Sequence, residues 1–401
     1  MTKSSRKQLD SSAKTLFLAW CKNNTLFDRH EILISGGAPY RCLLMLALLF
    51  LSLFFMPIFL FAQEADDLLP VKIDGKWGFI NVKGEISISP QYSSALRFSE
   101  KLSAVYLNTP GNKCGYVNKK GEFVIEPKFD YCDSFNEGFA VINLESKYGY
   151  IDKYGRYLIA PRWQKAWGFS NGLARIVGGD LDKARYGFVN RAGKVVIAPQ
   201  YAYLDDFNEG LALAAVDTKN ELKIGFIDTK GKWVIKPEYG SATSFSEGLA
   251  AVTKDGKSYL FEGSLSFDTE GKDFNVFYIN KSGEPAFDKT FSQGGKFSEG
   301  LAPVEIRGKW FYINNKGNVI IETKFSSKVE IGTFFEGLAP VNFSNGAKFI
   351  DKTGDVILKT EFDWADNFSN GISRVKKISK DGSVNVGYID LKGNIIWRPS
   401  K

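Results

Sequence analysis

The sequence predicts an all-β repeat protein, in which tandem three-stranded β-meanders stack as an open β-solenoid or superhelix. Two observations carry this fold class. An aromatic residue, then Ile or Val, then Asn or Asp recurs nine times between residues 79 and 390, at intervals of 34 to 39 residues and one of 52. A glycine stands five residues after each of those aromatics. Self-similarity at such a period is typical of repeat architectures, so residues 71–401 are predicted to form one array of about nine units.

Each unit opens with a strand and a turn. Lys76-Trp77-Gly78-Phe79-Ile80 alternates in the manner of a strand. The glycine that follows suits a tight turn that needs positive φ. The predicted turn glycines are Gly84, Gly121, Gly155, Gly193, Gly231, Gly283, Gly317, Gly354 and Gly393.

Two more strands complete the predicted unit. The second has an apolar residue four positions after the glycine, such as Ile125, and in six units a proline two residues later. That proline is predicted to end the strand, because it cannot donate a ladder hydrogen bond. A loop of the form Phe-Ser/Asn-Glu/Asn-Gly-Leu-Ala then leads into the third strand. Because the array starts at strand one and stops after strand two, exchange of terminal strands would not close a ring. This favours the open solenoid, with a propeller-like ring as the alternative.

The N-terminal 62 residues are predicted to be a targeting segment. Residues 42–62 carry no charge and could form a membrane-spanning anchor or the core of a signal peptide cleaved after Ala62. Residues 1–41 form a basic leader that either precedes the true start or stays in the cytoplasm. Residues 63–70 are a predicted linker. Residues 63–401 are therefore expected in the periplasm, the outer envelope or the medium, and anchored to the membrane if residues 42–62 are retained.

Charge and composition narrow the functional classes. Residues 63–401 hold 45 Lys and Arg against 42 Asp and Glu, which leaves no basic excess to indicate nucleic-acid binding. The single histidine, His30, lies in the leader. Cys-x-x-Cys pairs, phosphate-binding loops and nucleophile elbows are absent, so no catalytic residue, cofactor or metal site is predicted. Cys114 and Cys132 could form a disulfide or remain buried thiols.

The repeated segments resemble a known family. The signature runs Gly75-Lys76-Trp77-Gly78-Phe79-Ile80-Asn81, then Lys83-Gly84, Pro90-x-Tyr92 and Phe-Ser-Glu-Gly-Leu-Ala. It is similar to that of the WG-repeat, or KWG-repeat, proteins over residues 71–401. The resemblance implies a bacterial, often exported, all-β interaction module without established chemistry.

The repeated glutamate of the loop is predicted to be structural. A catalytic residue is needed once, whereas this one recurs and is replaced by Asn171 and Asn370 in two units. Its side chain is expected to bond the backbone of its own turn. The glutamates are Glu100, Glu137, Glu209, Glu247, Glu299 and Glu336.

Positions that vary between fixed neighbours are the predicted binding residues. Two residues past the Pro-x-aromatic position, three units carry Tyr131, Tyr203 and Trp364, and Trp167 stands in a neighbouring column. Such side chains could stack on a sugar or anchor a partner protein. The 52-residue interval adds residues that include Asp268, Glu270 and Asp273, but their spacing does not match a calcium loop, which favours a solvated hairpin tip.

Three functions remain open from the sequence. The favoured one is a non-enzymatic, exported binding scaffold of the bacterial cell envelope, with a protein or an envelope glycan as its partner. A structural or self-associating envelope component is the alternative. A carboxylate-dependent glycoside hydrolase is the third, because such enzymes work without histidine.

Overall fold

The computed structural model describes residues 67–179, 184–218, 221–256, 258–261, 264–267, 274–344 and 346–398. Within these ranges the chain forms 36 β-strands in nine small antiparallel sheets, which confirms the all-β prediction. No helix in the same ranges is long and apolar enough to cross a membrane. The predicted leader, the apolar run and the first half of the predicted linker, residues 63–66, lie outside the described residues.

Each sheet is one blade of a ring, and a complete blade has four strands. Blade 1 has three described strands, which correspond to the second, third and fourth of the others. Blade 1 contains β1 (Leu69–Ile73), β2 (Lys76–Ile80) and β3 (Ile86–Tyr92). Blade 2 contains β4 (Ser94–Ala95), β5 (Ser103–Tyr106), β6 (Cys114–Val117) and β7 (Phe123–Phe129). Blade 3 contains β8 (Tyr131–Cys132), β9 (Ala140–Leu144), β10 (Lys147–Ile151) and β11 (Tyr157–Trp163).

Blades 4 to 6 contain the irregular interval. Blade 4 contains β12 (Lys165–Ser170), β13 (Leu173–Gly178), β14 (Arg185–Asn190) and β15 (Val195–Tyr201). Blade 5 contains β16 (Tyr203–Leu204), β17 (Ala212–Asp217), β18 (Leu222–Ile227) and β19 (Trp233–Tyr239). Blade 6 contains β20 (Ser241–Ala242), β21 (Leu249–Thr253) and β24 (Phe277–Asn280). The insertion forms a hairpin of β22 (Ser258–Phe261) and β23 (Ser264–Phe267), which extends the sheet of blade 5. Asp268, Glu270 and Asp273 lie outside the described residues.

Blades 7 to 9 return to four strands each. Blade 7 contains β25 (Gln293–Gly294), β26 (Ala302–Ile306), β27 (Lys309–Ile313) and β28 (Val319–Ser326). Blade 8 contains β29 (Glu330–Ile331), β30 (Ala339–Phe343), β31 (Gly346–Ile350) and β32 (Val356–Lys359). Blade 9 contains β33 (Trp364–Ala365), β34 (Ile372–Ile378), β35 (Val384–Asp390) and β36 (Ile395–Trp397).

The predicted three-stranded unit was one strand short. The first strand of most blades has two residues, as in β8 and β16, so it is too short to show an alternating pattern in the sequence. The strand that proline was predicted to end is the fourth strand of the blade. That prediction was wrong, because the strand continues past the proline. Pro127 lies inside β7, beside a register shift between Cys114 and Tyr116 of β6. It is tolerated there because the fourth strand is an edge strand.

The turn glycine and the fourth-position apolar residue are two halves of one contact between blades. A Cβ on Gly155 would lie 3.1 Å from Cγ2 of Ile125, the fourth-position residue of the preceding blade. Gly155 also has φ of +77°. Glycine is therefore required by the backbone conformation and by the close approach of the neighbouring blade.

The repeated aromatic column forms the core of the ring. All nine of its side chains, from Phe79 to Tyr388, are at most 1% exposed. Several tyrosines of the column also donate a hydrogen bond from the hydroxyl to a backbone oxygen of the next blade, as Tyr150 does to Trp167 O at 2.9 Å. The predicted core role of these aromatics is confirmed, and it includes a polar contact between blades.

The last blade contacts the first, so the nine blades form a β-propeller and the predicted open solenoid was wrong. Tyr388 donates its hydroxyl hydrogen bond to Pro70 O at 2.9 Å, across 318 residues of sequence. A Cβ on Gly84 would lie 2.4 Å from Ile396 O. Leu69, Val71 and Ile80 share one apolar cluster with Ile372 and Tyr388. Among the described residues, the ring closes through contacts between the sheets of blades 9 and 1, without the strand exchange that was expected to be necessary.

The repeated glutamate also joins neighbouring blades. Glu137, with φ of +53°, accepts hydrogen bonds at Oε2 from Gly172 N at 3.0 Å and Arg191 Nη2 at 2.8 Å. Burial opposes ionisation of Glu137, but these bonds and the Arg191 charge lower the pKa below its usual value. The expected bond to the glutamate's own turn was wrong, because the acceptor oxygens reach the loop of the following blade.

A disulfide adds a covalent connection. Cys114 of β6 is joined to Cys132 of β8, with the two Cα atoms 6.0 Å apart. Both residues are fully buried. The bridge therefore links blade 2 to blade 3, and it resolves the alternative of free thiols in favour of a disulfide.

Candidate functional site

The four predicted binding residues all lie on first strands. Tyr131, Tyr203 and Trp364 are the first residues of β8, β16 and β33, and Trp167 is the third residue of β12. Side chains alternate along a strand, and the second residue of each of these strands is buried. Tyr131 is exposed, whereas Trp167, Tyr203 and Trp364 are partly exposed, and Trp167 and Tyr203 also pack against the apolar cluster of blades 4 and 5.

Trp167 and Tyr203 are brought together by a residue that the sequence analysis did not select. The Trp167 ring stacks on Tyr186 with centroids 5.6 Å apart and an interplanar angle of 28°. Tyr186 in turn lies 5.4 Å from Tyr203 of the next blade. Tyr186 occupies the tryptophan column of the repeat, so its position in the sequence indicated a core residue.

Arg175 fixes this aromatic stack to the junction between blades 4 and 5. Its guanidinium carbon lies 4.8 Å from the Trp167 ring centroid. Nε donates to Asp206 Oδ1 at 2.7 Å and Nη1 donates to Leu204 O at 2.9 Å. Burial raises the pKa of Asp206, although the Arg175 charge acts in the opposite direction. The Trp167 ring is held between fixed groups before any partner binds.

Tyr131 lies one blade away and is the more accessible ring. It is 39% exposed and packs on Tyr148 of its own blade at 5.9 Å between centroids. Burial of the hydroxyl, with the nearby Asp133 charge, raises the pKa of Tyr131 to about 12. We call Tyr131, Tyr148, Trp167, Tyr186 and Tyr203 the aromatic surface.

Trp364 belongs to a different place on the ring. It lines a pocket of about 390 Å³ between blades 8 and 9, with Glu330, Asn342, Asp366 and Asn367 among the lining residues. The four predicted residues therefore lie in three places: Tyr131 beside Tyr148 on blade 3, Trp167 and Tyr203 in the stack at the junction of blades 4 and 5, and Trp364 in its pocket. In blade 8 the first strand begins at Glu330, so a three-residue connection separates it from the end of β28 at Ser326.

Metal binding finds no support in the described part of the chain. Within it, no group of three or more His, Cys, Asp or Glu side chains is arranged to hold a metal ion.

A family model described as WG containing repeat matches most of the array. The matched segments are residues 77–113, 115–148, 148–179, 186–219, 224–257, 277–310, 310–346 and 349–380. The chain belongs to the WG-repeat family. Each match begins at the third strand of one blade and extends through the second strand of the next, and the family resemblance drawn from the Trp-Gly signature is confirmed. No curated protein matches the sequence.

One of three similar solved structures has a TM-score above 0.5, and all three are similar at very low identity. A crystal structure of the eukaryotic initiation factor aligns with 82% of this WG-repeat chain and 94% of its own, at 9% identity and a TM-score of 0.54. Citrobacter koseri AztD aligns with 82% of the chain and 92% of its own, at 9% identity and a TM-score of 0.37. The β-propeller domain of the Trilobed protease from Pyrococcus furiosus aligns with 78% and 99%, at 12% identity and a TM-score of 0.38. Identities this low bear on the fold alone.

Proposed function

We propose that this protein is a non-enzymatic, exported binding scaffold of the cell envelope, and that the aromatic surface contacts a protein partner. The observation that carries the proposal is the stack of Trp167, Tyr186 and Tyr203 with Arg175 at the junction of blades 4 and 5. Trp, Tyr and Arg are the residues in which binding energy at protein interfaces concentrates.

The geometry favours a protein over a small ligand at this surface. The Trp167 ring already has Tyr186, Arg175 and Lys165 against it, with the Lys165 Nζ atom 5.2 Å from the ring centroid. The exposed parts of Tyr131, Trp167 and Tyr203, on three neighbouring blades, are then what a partner can contact. Side chains fixed on strands lose little conformational entropy on binding, which suits a broad interface.

Export is supported by two features. The uncharged residues 42–62 have the length of a signal core or an anchor. The Cys114–Cys132 disulfide suits an oxidising compartment. N-terminal sequencing of the protein isolated from cells tests this part of the proposal: a start at Gln63 means cleavage, and a start at Met1 means a retained anchor. Recovery of the protein from the cytoplasm with reduced cysteines would contradict export.

The absence of enzyme activity is supported by the use of the repeated carboxylates. Glu137 and Glu209 accept hydrogen bonds from the backbone of the next blade and pair with Arg191 and Lys281. They are thereby occupied in holding the ring. A glycoside hydrolase would need a further carboxylate pair, and turnover of a glycan panel would be the result that revives this alternative.

Binding is tested with a matched pair of variants. We expect a Tyr131→Ala/Tyr203→Ala double variant to lose at least tenfold in affinity for a protein captured from envelope extract by the unaltered chain. Ser241→Ala changes the same column in blade 6 and is expected to keep full affinity. Equal capture by the double variant and the unaltered protein would contradict the assigned surface, and capture of glycan alone would assign the site to a saccharide instead.

Self-association is the second candidate function, because one feature favours it. The fourth strands expose apolar side chains at the ring circumference: Val124, Leu158, Val196, Val234, Ile320 and Ile357 are each 36 to 53% exposed. Repeated apolar groups on neighbouring blades could pack against a second ring. Light scattering of the purified protein tests this, and assemblies that disappear in a Val196→Lys/Val234→Lys variant would favour it over the scaffold proposal.

A further inference from the structure

The Trp364 pocket lies where the first strands of blades 8 and 9 meet. Glu330 and Gly332 line it from blade 8, and Trp364, Asp366 and Asn367 line it from blade 9. Its volume of about 390 Å³ falls within the roughly 300–1,000 Å³ of small-molecule sites. One aromatic side chain among several oxygen and amide groups is the composition of a site for a small polar ligand.

The position of Trp364 is fixed by its neighbours. Asn342 accepts a hydrogen bond from Ala365 N at 3.0 Å and donates one to Ala365 O at 3.3 Å, so it holds the strand that carries the indole. The indole Nε1 donates to Asp366 Oδ1 at 3.1 Å. Lys376 lies opposite on β34, with Nζ 5.2 Å from the ring centroid. The ring is therefore oriented without a ligand.

The charges at the pocket are compensated by the protein. Asp366 accepts a hydrogen bond from Arg374 Nε at 2.6 Å at its second oxygen. Burial raises the pKa of Glu330, and the nearby Lys376 charge acts in the opposite direction. A strongly charged ligand would have to displace one of these partners and leave the other unpaired, which is costly. The site consequently favours a neutral ligand.

One polar atom in the lining lacks a hydrogen bond. Asn367 Oδ1 is buried and accepts no bond from the described residues. It lies beside Gly332, where a Cβ would be 3.2 Å from this oxygen. Unpaired buried acceptors are rare, because each costs about 1–3 kcal/mol. A ligand hydroxyl that enters the pocket would supply the missing donor after a small shift of the amide.

We propose that this pocket binds a single neutral sugar residue, free or at the end of a glycan. Trp364 contacts the apolar C–H face of the ring, and the hydroxyls bond Asn367 and the carboxylate oxygens at the pocket. A hydroxyl both donates and accepts, so it matches an amide and a carboxylate together. The pocket lies on blades 8 and 9, and it does not depend on the protein partner proposed for blades 3 to 5.

The test uses the purified protein, uniformly labelled with ¹⁵N, and a panel of neutral sugars: glucose, galactose, mannose, rhamnose and N-acetylglucosamine. Indole N–H resonances are followed during titration, with Trp364→Phe used to assign the Trp364 signal. We expect at least one sugar to shift this signal in a saturable manner. We expect Trp364→Ala to weaken binding of that sugar at least tenfold and Asn367→Ala to weaken it at least threefold.

The control is Trp167→Ala. It removes a tryptophan from the aromatic surface, away from the pocket, and is expected to leave sugar affinity unchanged. Thermal melting of each variant shows whether the ring is intact, and the titration of the unaltered protein needs no variant to fold. No saturable shift with any sugar of the panel overturns the proposal. A folded Trp364→Ala variant with the same sugar affinity as the unaltered protein also overturns it. So does a Trp364 signal that shifts with an alkylammonium ion and with none of the sugars.

Discussion

The junction between blades 4 and 5 and the junction between blades 9 and 1 use an arginine of the same repeat column in opposite ways. Arg175 pairs across β13 and β14 with Phe188, and Arg374 pairs across β34 and β35 with Tyr388. Arg175 reaches into the next blade, to Leu204 O and Asp206. Arg374 turns back to Asp366 of its own blade.

This difference shows that the repeat supplies the same positions but not the same contacts. A mostly buried arginine at one junction corresponds to a surface ion pair at the other, although the two arginines occupy the same column of the repeat. The side chain of Arg175 is 11% exposed and that of Arg374 is 46% exposed. Variants at paired positions can measure how unequal the two junctions are.

The largest difference is expected for the two arginines. Arg175→Ala leaves Asp206 without its partner in a partly buried position and should lower the free energy of unfolding by about 3–5 kcal/mol. Arg374→Ala removes an exposed pair and should change it by about 0–1 kcal/mol. Urea denaturation of both variants measures the difference. Equal losses would show that the two junctions are energetically alike despite their different contacts.

Removal of the disulfide should have the next largest effect. The bridge closes a loop across a sequence separation of 18 residues, so Cys114→Ala/Cys132→Ala should cost about 3 kcal/mol of stability. Limited proteolysis should then cut at the junction of blades 2 and 3, which the bridge protects in the unaltered protein. The reduced, unaltered protein is the control. An unchanged cleavage pattern would show that packing alone holds this junction.

A pair of tyrosines tests whether ring closure is as strong as an ordinary junction. Tyr150→Phe removes the hydrogen bond to Trp167 O, and Tyr388→Phe removes the one to Pro70 O. Each should cost about 1 kcal/mol, since phenylalanine already occupies this column in other blades. Thermal melting compares the two. A cost for Tyr388→Phe several times that for Tyr150→Phe would make this one bond the main closing contact.

The smallest effect is expected from acid. Burial opposes ionisation of Glu209, but Lys281 and the N–H of Gly248 lower its pKa below the usual 4.5 in the folded protein. Its contribution to stability is therefore complete above the usual pKa and is lost as pH falls through the lowered value.

Glu209→Gln should reduce the acid-dependent loss by about 0.5 kcal/mol in denaturation curves recorded between pH 6 and pH 3. Glu122→Gln, whose carboxylate bonds Asn118 within its own turn, is the matched control. If the free energy of unfolding depends on pH in the same way for Glu209→Gln and the unaltered protein, the hydrogen bond between blades makes no pH-dependent contribution to stability.

The repeat itself could be predicted from the sequence, because its signals are local. A glycine such as Gly155 marks a turn with positive φ, and an apolar residue such as Ile125 marks a buried strand position. The contact between these two residues could not be predicted, since nothing local shows that the next blade lies there. Most first strands could not be predicted, because a strand of two residues is too short to show an alternating pattern.

Ring closure and the composition of the sites needed the structure for a different reason. Tyr388 and Pro70 are distant in sequence, and each has an ordinary local pattern. Variability selected Tyr131, Trp167, Tyr203 and Trp364 as candidate binding residues, and all four lie on first strands that were not predicted. It could not select Tyr186 or Arg175, because Tyr186 follows the tryptophan column and Arg175 lies inside a predicted core strand. Their roles arise from neighbours in the adjacent blade.

The bond between Tyr388 and Pro70 has a kinetic consequence. Its partners are separated by nearly the whole array, and contacts of such long range form late because the intervening chain must first be ordered. Blades can fold one after another as their strands pair with sequence neighbours, whereas the seam between blades 9 and 1 must wait for all of them. In hydrogen exchange, amides at this seam should gain protection last during refolding.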